Sequence, residues 1–180
     1  MKRLSAILLS LIFALSPIIP ALAHDYTNLG TNIVIKGSNE MLYYIGRDNQ
    51  RHAFPIFMGQ NMHQSVFLSW YPDFSGVIHV PDQVLAAYPI SRNVTIKPGA
   101  KLIKIASDPA IYAIDRGGEL RTINAMMSAT IYGSNWQSYV EVVPDAFFTN
   151  YFFGRPITNV SDYNLNTVLS IGNISDNYGL

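Results

Sequence analysis

The sequence contains no cysteine and few charges. Without cysteine the chain has no disulfide scaffold, thiolate zinc site, cysteine nucleophile or cysteine-linked lipid anchor. Charged residues make up 13% of the chain, and 12 basic and 12 acidic residues give a formal net charge of +0. This balance argues against a nucleic-acid-binding protein, because contact with phosphates requires clustered lysine and arginine. Beyond the N-terminal region, no stretch approaches the roughly 18 apolar residues of a membrane span.

Apolar and aromatic residues are abundant instead. Hydrophobic residues make up 49% of the 180 positions, with 11 tyrosines and 9 phenylalanines. A disordered chain is excluded by this composition. The length suits one ordinary domain or two very small ones.

The first 23 residues have the pattern of an export signal. Lys2 and Arg3 precede an apolar run over 4–20, and Ala21 and Ala23 form an A-x-A cleavage site. We therefore expect residues 1–23 to be removed after Ala23, leaving 10 basic and 12 acidic residues and no membrane span. The cysteine-free product is expected to be secreted or periplasmic in a bacterium.

The remaining chain repeats itself. Residues 33–55 align with 102–124 at an offset of 69, and residues 77–95 align with 140–158 at an offset of 63. In the second pair seven of nineteen positions are identical, whereas about one identity is expected by chance. We therefore predict two tandem repeats, 24–96 and 97–158, followed by a tail over 159–180.

The pattern predicts an α+β fold in which each repeat is a small β-meander or hairpin with one or two short helices. Tyrosine and isoleucine dominate 41–45 and 110–114, as is typical of half-buried strands. Each of these strands runs into a polar turn of the kind that closes hairpins. The tail is expected to be either poorly ordered or a final hairpin around Gly172 and Asn173.

Five short segments of the first repeat form a recognisable pattern, which the second repeat matches less well. The motif residues are Ile35, Lys36, Gly37, Ser38, Tyr43, Tyr44, Ile45, Arg51, Phe54, Pro55, Val66, Phe67, Leu68, Ser69, Trp70, Asp82, Leu85, Ala86, Ala87, Tyr88 and Pro89. This pattern resembles tandem repeats of about 65 residues in predicted exported and cell-surface proteins of bacteria, across roughly 32–155. Those repeats have no settled function and are treated as non-catalytic modules, so the resemblance implies location and modular use.

No catalytic motif is present: the sequence has no G-x-S-x-G elbow, S-x-x-K set or phosphate-binding glycine loop. Ser38 and Ser107 recur at turns, where a hydroxyl caps backbone groups. Asp82 and Asp145 also recur, each directly before an apolar helical segment, and are predicted to be helix N-caps. A pair of carboxylates could serve glycoside hydrolysis, so an envelope enzyme acting on polysaccharide is kept as an alternative.

A periplasmic copper-binding protein that uses its N-terminal histidine is kept as a second alternative. His24 would begin the processed protein, and a terminal histidine can chelate copper together with a second histidine, here His52, His63 or His79. His52 aligns with Arg121 of the second repeat, which favours a polar surface position over a metal ligand. No spacing typical of a metal site occurs, so no metal or cofactor is predicted.

Aromatic side chains provide the one plausible binding surface. We predict a non-catalytic binding or scaffolding module of the bacterial envelope or exterior, with an envelope polysaccharide or another surface protein as its partner. Aromatic rings could stack on sugars or on a partner's apolar side chains. The candidates are Tyr44, Trp70, Tyr71, Phe74, Trp136 and Tyr139.

Overall fold

The computed structural model of the chain describes Tyr26 and residues 29–56 and 62–180. The predicted signal peptide and His24 lie outside the described residues. The fold is α+β, as predicted, with two sheets and several short helices. The strands are β1 (Ile33–Lys36), β2 (Leu42–Ile45), β3 (Arg51–Ala53), β4 (Val77–His79), β5 (Leu102–Ile105), β6 (Tyr112–Asp115), β7 (Glu119–Thr122), β8 (Val140–Val143) and β9 (Phe152–Phe153). The α-helices are α1 (Met62–Trp70), α2 (Asp82–Ala86), α3 (Ala125–Tyr132), α4 (Leu165–Leu169) and α5 (Ile174–Tyr178).

The two sheets have the same strand order over four strands. Sheet one runs β3-β2-β1-β4 and sheet two runs β7-β6-β5-β8, with β9 added beside β7. In both sheets the first three strands form an antiparallel meander, and the fourth lies parallel to the first. Sheet one also has a counterpart of β9, because Ile90 forms a parallel bridge with Arg51.

The strand registers correct the sequence alignment by one residue. Tyr43 lies opposite Ile35, and Tyr112 lies opposite Ile103, although the constant offset of 69 had placed Ile35 with Lys104. Lys36 and Lys104 therefore occupy equivalent positions, and the extra residue of the second half falls between Lys104 and Ser107.

Tight turns close the hairpins where the sequence predicts them. In sheet two, Gly117 and Gly118 have φ of 75° and 89°, a backbone region that favours glycine. In sheet one, Asn49 takes the corresponding left-handed conformation, with φ of 55°. Asparagine tolerates it better than most residues, so the two turns close with different sequences.

The recurring aspartates do not cap their helices, contrary to the prediction. The N-cap residues are Pro81 for α2 and Pro144 for a short 3₁₀-helix over Asp145–Asn150, and neither forms a side-chain cap. Asp82 instead accepts hydrogen bonds from the backbone N–H (2.8 Å) and hydroxyl (2.6 Å) of Ser38. The hydroxyl of Ser107 donates to Asp145 in the same way, at 2.6 Å. Because β1 and β4 are parallel neighbours, their C-terminal ends meet at one edge of the sheet, and this brings serine to aspartate.

The sheets pack against each other through unlike faces. Val34 and Tyr44 of sheet one lie in a central core with Ile103 and Tyr112 of sheet two. The pair of sheet two that is equivalent to Val34 and Tyr44, namely Leu102 and Ala113, points away from this core. The central core comprises Val34, Leu42, Tyr44, Phe54, Met62, Val66, Phe67, Val94, Ile96, Ile103, Tyr112, Ile114, Leu120, Val143, Phe147 and Ile174.

Each outward face has its own cover. On sheet one, Tyr26 and Leu29 pack against Ile35 and its neighbours in a first outer core. On sheet two, Tyr163 and Val168 cover Leu102 in a second outer core. The tail is therefore an ordered cover with two short α-helices, and neither the poorly ordered tail nor the final hairpin expected from the sequence is correct.

The last helix, α5, lies against both hairpin turns. The Ser175 hydroxyl accepts from the backbone N–H of Arg47 in the first turn at 3.2 Å, and the backbone N–H of Ser175 donates to the Tyr44 hydroxyl at 3.0 Å. Asn177 accepts from the backbone N–H of Gly117 at 2.9 Å. This helix joins the two sheets at one end of the central core. No helix in the described part of the chain has the length and apolar character to cross a bilayer.

Candidate functional site

Three aromatic rings stack at the end of α1 and in the loop that follows. Phe67 and Tyr71 are one helical turn apart, so their rings lie on the same side, with centroids 4.9 Å apart. The loop returns Phe74 to this stack, nearly parallel to Phe67 at 8° and 4.4 Å. Phe67 is buried in the central core, whereas Phe74 is 40% exposed. The stack therefore runs from the core to solvent.

A cavity of about 290 Å³ opens beside this stack, between the loop and the start of β1. Its lining is mostly apolar, and Asp73 is its single charged residue. Hydrogen bonds from Ser75 lower the pKa of the Asp73 carboxyl, so it is ionised at neutral pH. The lining residues are Asn32, Ile33, Val34, Phe67, Tyr71, Pro72, Asp73, Ser75 and Gly76.

The loop beside the cavity is held in place by local hydrogen bonds. The Ser75 N–H donates to the Asp73 carboxylate at 2.8 Å, and the Val77 N–H donates to the Phe74 carbonyl at 3.1 Å. On the opposite wall, Asn32 has φ of 59° and accepts from the Tyr44 hydroxyl at 2.5 Å. These contacts fix the walls of the cavity, which offers aromatic surface, a carboxylate and an amide.

Of the predicted residues, Tyr71 lines this cavity, and Phe74 lies beside it, stacked on the lining residue Phe67. Burial raises the pKa of the Tyr71 hydroxyl well above its usual range, so it remains protonated. Trp70 lies nearby in sequence but contacts other residues. Its indole N–H donates to the Thr95 carbonyl at 2.8 Å, and the Lys97 ammonium lies 5.7 Å from its ring.

Tyr44 does not belong to the predicted binding surface. Its side chain is fully buried, and its hydroxyl is used by Asn32 and Ser175. A strand that is buried on both faces hides every side chain, and each residue of β2 is buried. Burial therefore leaves Tyr44 no exposed face for a ligand.

The two predicted aromatics of the second half lie elsewhere. Trp136 packs against the second outer core. Tyr139 is 39% exposed, and its ring lies 5.4 Å from that of Tyr132. The six predicted residues thus do not form one surface: Tyr71 lines the cavity with Phe67 and Asn32, and Phe74 stacks on Phe67 beside it. Sequence reasoning missed Phe67 and Asn32 as site residues, although the four-residue spacing of Phe67 and Tyr71 was a usable signal.

Polar groups with possible chemistry have structural partners. Hydrogen bonds from Ser38 lower the pKa of the Asp82 carboxyl, which keeps it ionised rather than available as a general acid. His52 is fully buried, so its predicted surface position is wrong. Its ring nitrogens face the Arg92 carbonyl at 3.2 Å and the Asp48 carboxylate at 3.2 Å. In the described part of the chain no group of three or more histidine, aspartate or glutamate residues could hold a metal.

Comparison of the chain with protein-family models, with curated proteins and with solved structures gives no match. The function is therefore inferred from the geometry of this chain.

Proposed function

We propose that the protein is a non-catalytic binding module of the bacterial cell envelope or exterior that takes a sugar ring of an envelope polysaccharide in the aromatic cavity. The observation that carries this proposal is the stack of Phe67, Tyr71 and Phe74, which is anchored in the core and open to solvent at Phe74. Aromatic faces bind the C–H side of a sugar, while the Asn32 amide and the Asp73 carboxylate can bond its hydroxyls.

We further propose that the chain arose by duplication of one unit. Several shared backbone contacts support this. The Val94 N–H donates to the Ala53 carbonyl at 2.8 Å, and the Ile157 N–H donates to the Thr122 carbonyl at 2.9 Å. These donors and acceptors are related by the two offsets found in the sequence, as are the serine–aspartate pairs. The two copies of the unit would span 24–96 and 97–158, and residues 1–23 would direct export.

The proposal is tested by isothermal titration calorimetry with size-fractionated neutral envelope polysaccharide. Phe74→Ala should weaken binding about tenfold, because it removes the ring that stacks on the lining residue Phe67, and such aromatic stacking is worth about 0.5–1.5 kcal/mol beyond its buried area. Phe152→Ala is the matched control, because Phe152 is similarly exposed at 49% and lies on β9. Absence of binding, or equal loss in both variants, contradicts the proposal.

The non-catalytic part of the proposal has its own test. Incubation of the protein with the same polysaccharide should leave the size distribution of the polymer unchanged by mass spectrometry. Hydrolysis that is lost in Asp82→Asn at unchanged thermal stability would favour the enzyme alternative instead.

A further inference from the structure

One buried hydroxyl links the aromatic cavity to α5. The Tyr44 hydroxyl donates to the side-chain oxygen of Asn32 at 2.5 Å and accepts from the backbone N–H of Ser175 at 3.0 Å. The hydroxyl of Ser175 lies 2.8 Å from the same tyrosine oxygen. Asn32 lines the cavity, whereas Tyr44 and Ser175 are fully buried. A path of three side chains therefore leads from the cavity wall to the helix that joins the two sheets.

The protons along this path have a single arrangement. Burial raises the pKa of the Tyr44 hydroxyl, so the group is protonated at neutral pH. Its one proton is donated to Asn32, so the Ser175 hydroxyl donates to Tyr44. The Ser175 oxygen accepts in turn from the Arg47 backbone N–H at 3.2 Å. Because both hydroxyl protons are used within the path, the tyrosine oxygen is held in one place.

The same path fixes the orientation of the Asn32 side chain. Its oxygen faces Tyr44, which leaves the NH₂ group as the end of the amide available to a ligand. The backbone of Asn32 is left-handed, with φ of 59°, and its N–H donates to the Ile45 carbonyl at 2.7 Å. Asparagine tolerates this backbone region better than most residues. At this wall the cavity therefore offers a hydrogen-bond donor, in addition to the acceptor that Asp73 provides.

The strand pairing does not require this hydroxyl. Ala113 of sheet two occupies the position of Tyr44 and lies opposite Leu102, as Tyr44 lies opposite Val34. The two sheets nevertheless share the same strand order over four strands. The cavity is bordered by the start of β1, which belongs to the sheet that carries the tyrosine. The hydroxyl is therefore found beside the cavity and is not repeated with the fold.

We propose that Tyr44 and Ser175 are positioning residues of the aromatic cavity, which hold the NH₂ group of Asn32 toward the bound sugar and couple the cavity to α5. This inference rests on the proposed function, and neither positioning residue touches the ligand. Coupling between two sites is reciprocal. A ligand that bonds the Asn32 amide therefore stabilises α5 on the hairpin turns, and loosening of α5 weakens the binding of that ligand.

The test is isothermal titration calorimetry of the full protein with the neutral envelope polysaccharide. Asn32→Asp keeps an oxygen for Tyr44 but has no NH₂ group, so it should weaken binding about tenfold, as expected for a lost hydrogen bond. Tyr44→Phe and Ser175→Ala should each weaken binding about threefold, because the amide remains but is no longer held in place. Asn39→Asp is the matched charge control, since the exposed Asn39 also accepts a backbone N–H, from Met41 at 3.1 Å. Its affinity should stay within about twofold of the unaltered protein, because salt screens a charge that does not touch the ligand.

Tyr163→Phe is the matched control for the loss of a buried hydroxyl. Tyr163 lies in the second outer core, and its hydroxyl donates to the Ile114 carbonyl at 2.8 Å. This variant should lose stability as Tyr44→Phe does. Its affinity for the polysaccharide should stay within about twofold of the unaltered protein, because distant sites act independently.

A double variant separates positioning from a general loss of structure. Asn32→Gly removes the amide, and glycine tolerates the left-handed backbone. In this background Tyr44→Phe should leave the affinity unchanged, because no amide remains to be held, although the free energy of unfolding still falls. An equal loss of affinity in both backgrounds would contradict a positioning role.

Hydrogen exchange of the unaltered protein tests the coupling without any substitution. Added polysaccharide should slow amide exchange more in α5 than in α4, because α5 contacts Tyr44 and α4 covers the second outer core. An unchanged exchange rate in α5 of the bound protein would overturn the coupling.

Failure of this inference is distinguishable from failure of the proposed function. Absence of binding to the unaltered protein contradicts the proposed function and the inference with it. Binding that is unaffected by Asn32→Asp, Tyr44→Phe and Ser175→Ala overturns the inference alone. Circular dichroism melts identify any variant that has unfolded. If Tyr44→Phe is one of them, Ser175→Ala, which keeps the backbone N–H bond to the tyrosine, provides the same test.

Discussion

Sheet one and sheet two have the same strand order and pairing but bury their equivalent faces against different neighbours. The face of sheet one that carries Val34 and Tyr44 packs on sheet two. The equivalent face of sheet two carries Leu102 and Ala113 and packs under the tail. The difference in side-chain size follows from the difference in cover. A tyrosine whose hydroxyl reaches α5 is placed where two sheets and a helix meet, and an alanine is placed beneath a short tail.

A second contrast concerns one position in the third strand of each meander. His52 faces the Arg92 carbonyl at 3.2 Å, and Arg121 donates to the Arg155 carbonyl at 2.9 Å. Each side chain also approaches a carboxylate of the preceding hairpin turn. At this position both halves place a side-chain nitrogen against a backbone carbonyl, so the same contact is made by two different residues.

The largest loss of stability should come from removing a large side chain from the central core. Phe54→Ala removes a fully buried ring that packs edge-on against Phe67 at 5.3 Å, and we expect the free energy of unfolding to fall by about 3–5 kcal/mol. Ile123→Ala, at the equivalent position in the second outer core, should cost less. Guanidinium unfolding followed by tryptophan fluorescence measures both. Equal losses would show that the tail is as strongly packed as the sheet interface.

The next effect separates two glycines at equivalent positions. Gly30 and Gly99 have φ of 76° and 78°, so alanine is strained at either position by about 1–2 kcal/mol. A Cβ at Gly99 would also lie 2.9 Å from Val168 and 3.0 Å from Leu169, whereas none is met at Gly30. We expect Gly99→Ala to lower the free energy of unfolding by about 2–4 kcal/mol, since overpacking adds to the strain. Equal thermal shifts in the two variants would contradict the packing of α4 on this turn.

A smaller effect is expected from removing one hydroxyl. Tyr44→Phe leaves the ring but deprives the buried Ser175 N–H of its acceptor. The free energy of unfolding should fall by about 1–3 kcal/mol, the cost of an unsatisfied buried group. Relative to the unaltered protein, the rate of amide hydrogen exchange in this variant should increase more in α5 than in β6. Uniform acceleration across the chain would argue against a local role for this contact.

The smallest effect is a change in acid sensitivity. Ser38 lowers the pKa of Asp82 in the folded protein from its ordinary value of 3.8. The stability that this lowered pKa gives the folded protein is therefore present above the pKa of Asp82 in the unfolded chain. It is lost as the pH falls through the pKa of Asp82 in the folded protein. Ser38→Ala should lower stability at pH 7 and reduce the decline between about pH 5 and pH 3. An unchanged pH profile, measured by urea unfolding, would contradict the pairing.

Local structure was largely predictable from the sequence. Segments rich in tyrosine and isoleucine, together with the polar turns that follow them, located the hairpins of both meanders to within a few residues. The pairing of Asp82 with Ser38 was not predicted, because a cap is a local inference and this contact depends on β1 and β4 being parallel neighbours. The burial of His52 was missed for a similar reason, since its partner Arg92 lies in a segment without regular secondary structure.

The candidate site was predictable only in part. Aromatic abundance selected Tyr71, which lines the cavity, and Phe74, which stacks beside it, but it also selected the buried Tyr44. Residue type cannot separate a core ring from an exposed one when both faces of a strand are covered. The tail was the largest failure. Its polar, asparagine-rich sequence hides the fact that Asn164 and Asn173 each accept a backbone N–H and begin a helix.

The meeting of unlike faces gives the molecule a polarity. Two units that pack through the same face form a closed, symmetric pair. Two units that pack through different faces leave a different face free at each end, so further units could be added in the same direction. A row of stacked units needs a cover over the apolar face at each end. Here Tyr26 and Leu29 cover one end, and α4 covers the other. A longer chain built on this plan would place an additional sheet between sheet two and the tail that covers it. Its length would increase by one sheet unit at a time.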